Sequence, residues 1–174
     1  TNGGQNSASA DRYTLATYYV HTSTTGAMIR AAVDQAKADG TWLILCYHGV
    51  SLQDEHEWND QLFVTPAFLR RRLEILREGR YTVLPLADAV RRLRGDALPP
   101  RSVAITFDDG YYNFYAAAAP LLEEFGVPAT NYVSTYYSAH QRPIPPVAIR
   151  YLLWRARHME LAPGTLPGLD AAAS

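Results

Sequence analysis

The sequence predicts an α/β fold built on parallel strands, either an incomplete or distorted (β/α) barrel or an open α/β layer. Two observations carry that expectation. Apolar strand-like runs alternate with helical patterns at intervals of about 20–25 residues, the rhythm of βα units. Only four or five such strands are visible in 174 residues, whereas a closed eight-fold barrel needs roughly 200 or more. The composition agrees, because 48% hydrophobic and 19% charged residues supply a packed core and argue against global disorder.

The elements follow in order. Residues 1–12 are polar and rich in Gly, Ser and Asn, which predicts a flexible leader. The main domain is expected over 13–160, and the Ala/Gly/Pro-rich stretch 161–174 is expected to be a flexible tail. Tyr13–Val20 suits a short strand or an extended segment. Met28, Ile29, Ala32, Val33 and Ala36 recur at helical spacing, with Thr25 as the capping residue and Gly40 as the stop. Trp42–Tyr47 is a buried strand ending at His48-Gly49, and residues 51–63 form a polar, acidic loop. Thr65-Pro66 is an N-cap followed by proline at the first helical position. Phe68, Leu69, Leu73 and Leu76 give that helix its apolar stripe, and Arg70-Arg71-Arg72 are expected on a solvated face. Tyr81–Leu84 is a strand, Leu86–Leu93 a helix stopped by Gly95, and Val103–Phe107 a second buried strand. Tyr115–Phe125 is a helix stopped by Gly126, Pro128–Val133 a strand, and Val147–Arg157 a helix. No internal repeat is present.

The formal net charge is −1, so no basic field is available to hold a nucleic-acid backbone. No apolar run is long enough to span a bilayer, and the first residues have neither the basic nor the apolar region of a signal peptide. The compartment and the oligomeric state are left open. One cysteine, Cys46, excludes an intrachain disulfide, and its apolar surroundings predict a small buried hydrophobe. The sequence has no nucleophile elbow, phosphate loop, dinucleotide fingerprint or cysteine cluster.

Val103-Ala104-Ile105-Thr106-Phe107-Asp108-Asp109-Gly110 carries the chemistry. A buried strand delivers two adjacent carboxylates to its C-terminal end, where parallel α/β folds place their active sites. Two neighbouring carboxylates repel each other and resist desolvation unless a cation or a proton holds them. One can bind a metal while the other accepts a proton from water. A solvated Asp-Asp-Gly turn is the plain alternative. His48 also follows a buried strand. It suits a general acid to a leaving amine, or a partly buried histidine bonded to backbone. His56 lies in the acidic loop, and no two histidines have the i, i+4 spacing of helical metal ligands.

Four segments, Leu-Cys-Tyr-His-Gly-Val (45–50), Tyr-Thr-Val-Leu-Pro-Leu (81–86), Val-Ala-Ile-Thr-Phe-Asp-Asp-Gly-Tyr (103–111) and Phe-Gly-Val-Pro-Ala-Thr (125–130), resemble the polysaccharide deacetylases of carbohydrate esterase family 4, the NodB-homology domain. The resemblance runs over about residues 27–137. It implies a distorted (β/α) barrel and a metal-dependent hydrolase that removes N-acetyl or O-acetyl groups from a polysaccharide or amino sugar. It matches Asp108 to the catalytic base, Asp109 to a metal ligand and His48 to the catalytic acid, in a permuted order that brings the last helix and strand to the front. Zinc is the metal it implies, and a carbohydrate bearing N-acetyl amino sugars the substrate. The family's His pair, which completes its metal site, is missing from these 174 residues. A fragment with an incomplete metal site, weak or inactive alone, is therefore expected. The alternative is a non-catalytic carbohydrate-binding or scaffold relative. A magnesium-dependent phosphoryl-transfer site ranks last, because that chemistry needs a phosphate loop.

Overall fold

A computed structural model describes residues 4–93 and 98–160. The helix stop expected at Gly95 and the tail expected over 161–174 lie outside the described residues. Contacts divide the chain into two units, with the boundary between Arg142 and Pro143.

Two strands make the centre of the first unit: β3 (Trp42–Tyr47) and β7 (Ser102–Phe107). Every residue in both is buried, as continuous apolar runs in a parallel sheet should be. They pair in parallel, with Leu43 opposite Val103 and Tyr47 opposite Phe107. Two short strands flank β3: β1 (Gln5–Asn6), antiparallel, at its beginning, and β2 (Tyr18–Tyr19), parallel, at its end. The outer edge of β7 is shared in the same way by β6 (Thr82–Val83) and β8 (Thr130–Asn131), both parallel. A separate two-stranded parallel ladder joins β4 (Gly49–Val50) to β5 (Phe63–Val64).

Side-chain alternation sorts this sheet into two unequal faces. Leu43, Leu45, Tyr47, Val103, Ile105 and Phe107 belong to the large core, together with residues of α1 (Gly26–Ala38), α3 (Pro66–Glu78) and α5 (Ala119–Phe125). Trp42, Ile44 and Ala104 point the other way into a smaller cluster. Among the described helices α4 (Leu86–Arg92), through Leu86 and Ala89, packs on that second face, together with Leu15, Leu93 and Leu98 from outside the helices. The arrangement is an open, mixed α/β sheet. No closed barrel forms among the described residues, in keeping with the incomplete fold the sequence predicts.

Thr25 and Thr65 cap α1 and α3 as expected, their hydroxyls accepting from Met28 N (3.2 Å) and Phe68 N (3.1 Å). Gly126 stops α5 in the left-handed region at φ 63°.

Several expectations differ from the structure. Within the stretch 1–12, Gln5–Asn6 form β1. The Asn6 amide holds it there, donating to Ala16 O and accepting from Ala16 N, each at 2.8 Å. The loop 51–63 contains a single helical turn, α2 (Glu55–Trp58). The helix expected over Tyr115–Phe125 begins as a π-helical turn, Phe114–Ala118. Pro120 accounts for that widening, since it lacks an N–H and its ring crowds the carbonyl four residues back. Arg72 is buried, unlike Arg70 and Arg71. A short helix, α6 (Thr135–Ala139), follows β8.

In the second unit, α7 (Pro145–Arg155) occupies the region of the expected last helix. Proline stands in its first turn, where no N–H is needed. Among the described residues no helix is long and apolar enough to cross a membrane.

Candidate active site

Strand register places the three predicted site residues. Tyr47 and Phe107 are the last registered pair of β3 and β7, and the Asp108 amide donates to Tyr47 O at 2.9 Å. His48 and Asp108 are therefore the next neighbours across the two central strands. By alternation they follow Cys46 and Thr106 on the sparsely covered face.

A cleft of about 460 Å³ opens on that face. Its lining includes Thr106, Asp108 and Asp109 from β7 and its exit, Tyr132 and Ser134 after β8, and Arg12 from the N-terminal stretch. His48 stands at the end of β3, outside this lining, with its ring stacked on Tyr19 of β2 at 6.0 Å and 21°. The structure thus brings the two aspartates together in one cleft and leaves His48 just past the end of the adjacent strand, outside the cleft lining.

The aspartates are held by different donors. The Cys46 thiol lies 3.4 Å from Asp108 Oδ2 as a donor. Burial first, and then the nearby Asp108 charge, pushes this thiol up to about 12, so it remains S–H at neutral pH. Cys46 is buried as expected, yet it is also a polar partner of the site. The Tyr111 hydroxyl donates to Asp109 Oδ2 at 2.8 Å. Burial and this hydrogen bond raise the phenol above its usual range. Tyr111 in turn packs on Phe63, ring centroids 5.2 Å apart.

The chain turns sharply after Asp108. Asp109 has φ 73° and Gly110 φ 69°, and a Cβ on Gly110 would lie 2.8 Å from Val133 Cα. Glycine lets the turn pass against the residues following β8. Gly49, just after His48, has a similar role: a Cβ there would lie 2.4 Å from Phe63 Cδ1.

Cys46, Tyr111, Tyr19 and Arg12 were not legible as site residues. Tyr111 had a local signal, two residues beyond Asp109 in the motif itself. Tyr19 and Cys46 reach the site through pairing between distant segments, and Arg12 lines the cleft from the stretch between β1 and β2.

Catalytic zinc normally takes three protein ligands. Among the described residues no group of three or more His, Cys, Asp and Glu side chains is placed to hold a metal ion. Asp109 is one carboxylate, with one oxygen engaged by Tyr111. The described residues do not fit a resident zinc by themselves.

A parallel α/β sheet with paired carboxylates at the C-terminal end of a central strand is the class to which this fold and site belong. The sequence comparisons add a likeness: part of the chain is similar to the polysaccharide deacetylases, whose family model matches residues 95–153. The poly-beta-1,6-N-acetyl-D-glucosamine N-deacetylases of Escherichia coli K12 and O157:H7 are each 36% identical over 91 residues. That match covers 51% of this chain and 13% of each relative, so the chain spans a small part of their length. The solved Streptococcus pyogenes deacetylase PplD, in complex with acetate, aligns with a TM-score of 0.50 at 29% identity, covering 56% of this chain and 44% of that one.

Proposed function

We propose that this chain carries the base-bearing part of a deacetylase that hydrolyses N-acetyl groups on an amino sugar or polysaccharide. One observation carries the reading: Asp108 lies in an open cleft at the C-terminal end of β7, and His48 directly follows the paired strand β3. Asp108 takes a proton from the attacking water as its oxygen bonds to the acetyl carbonyl carbon. The C–N bond then breaks, and His48 protonates the departing amine. Acetate and a free amine are the products. The same geometry serves an O-acetyl ester, with an alcohol as the leaving group. The family match and the N-deacetylase relatives support this reaction class.

Asp109 is the carboxylate we assign to a divalent metal, zinc first. Since the described residues supply no set of partner ligands, the 174-residue chain is expected to be weak or inactive alone. That incomplete donor set favours one second reading, a non-catalytic carbohydrate-binding or scaffold relative.

Acetate release from N-acetylglucosamine oligomers separates the two. Any activity, with or without added zinc, is expected to fall by about 10²–10⁴ in Asp108→Asn. Sugar binding that ignores metal, with no acetate released under any metal by this chain or by a longer one that includes it, rejects the hydrolase and leaves the binding domain.

A further inference from the structure

The buried thiol beside Asp108 takes no part in the proposed reaction. Cys46 is 1% exposed, in the middle of the sheet. It is the registered partner of Thr106 and points to the same face as Asp108 two residues further on. Its Sγ lies 3.4 Å from Asp108 Oδ2. Among the described residues it is the one side chain that donates a hydrogen bond to this carboxylate.

The backbone of Asp108 is already fixed, since its amide donates to Tyr47 O. What remains free is rotation of the side chain. A carboxylate facing an open cleft has several staggered positions of similar energy. A donor anchored in a fully buried strand selects one of them. Alanine or valine at position 46 would keep the site apolar but would offer Oδ2 no proton.

We propose that Cys46 is a positioning residue: its S–H fixes the rotamer of Asp108 and keeps the second carboxylate oxygen directed to the cleft. The proposal rests on the reading of Asp108 as the base. One strand, β3, then holds both the backbone and the side chain of that base and delivers His48 beside it.

The single cysteine makes the contact directly observable. The S–H stretch in the infrared arises from Cys46 alone. It is expected to lie at lower frequency than that of a free thiol, and to move up in Asp108→Ala. An S–H band that Asp108→Ala leaves in place overturns the contact. Side-chain couplings of Asp108 measured by NMR are expected to report one rotamer in the native chain, averaging in Cys46→Ala and a single rotamer again in Cys46→Ser, which keeps a donor. Identical couplings in all three overturn the positioning role. Neither readout needs turnover. Failure of acetate release in the assay above therefore counts against the deacetylase reading alone, while an unmoved S–H band counts against the Cys46 contact alone.

Discussion

Asp109 has a side chain in backbone space that favours glycine, at φ 73°. Such a conformation costs of order 1 kcal/mol, and Asp tolerates it better than most residues because its short carboxylate finds local partners. Tyr111, two residues on, is that partner. Gly110 follows at φ 69° with Val133 Cα 2.8 Å from where a Cβ would stand. Gly126 has a similar φ, 63°, with open space around it. The pair separates two costs. Gly126→Ala carries the backbone term alone, about 1 kcal/mol. Gly110→Ala adds a clash with main chain and is expected to cost about 2–4 kcal/mol in all. Urea midpoints of the two variants measure the difference; equal losses would mean that the approach to Val133 is loose. At this scale the sequence shows Asp108, Asp109 and His48 because each ends an apolar strand, a strictly local pattern. It does not show the Cys46–Asp108 contact, which joins positions 62 residues apart and exists only in one register of β3 on β7.

The helices divide by the same logic. The apolar stripe, cap and stop of α1 and α3 are local, and both helices form where the sequence places them. The triple-arginine run on α3 is different, because its members face different neighbours. Arg70 pairs with Glu124 at 2.5 Å and Arg71 with Glu74 at 3.0 Å, all on the surface. Arg72 is 8% exposed. Its guanidinium donates to the Thr24 carbonyl before α1 and lies 4.0 Å above the Phe68 ring. Periodicity alone could have given part of this, since Arg72 stands three and four residues from Leu69, Leu76 and Phe68. Charge argued the other way. Removing Arg72 leaves a buried carbonyl without its donor, at a cost of about 1–3 kcal/mol. Arg72→Ala is therefore expected to lower the denaturation midpoint clearly, while Arg70→Ala leaves it nearly unchanged because exposed pairs contribute little. Similar losses in both would show that Arg72 contributes no more than its surface neighbours. The two-residue strands β1, β4 and β5 escape the sequence for a related reason. A strand that short is defined by its partner and has no period of its own.

Within the first unit, among the described residues, α1, α3 and α5 pack on one face of the sheet, and α4 packs on the other with Leu15, Leu93 and Leu98. The parallel α/β class was legible because its two central strands are continuous apolar runs that pair with each other. The openness of the second face was not legible, since it depends on where each connection lands. The cleft with Asp108 and Asp109 lies on that thinly covered face. It brings together two carboxylates, with the His48 imidazole outside its lining, and among the described residues no set of ligands for zinc is present. Binding to the native state raises stability by about 2.7 kcal/mol at a hundredfold excess over Kd. For a chain of this length that is a rise in Tm of roughly 5–10 °C. Three ligands would reach that regime at micromolar zinc, while one carboxylate falls far short. Thermal melts of the 174-residue chain with micromolar zinc and with chelator are therefore expected to coincide. A rise of several degrees that disappears in Asp109→Ala would show instead that the cleft recruits further ligands from this chain and holds the metal unaided.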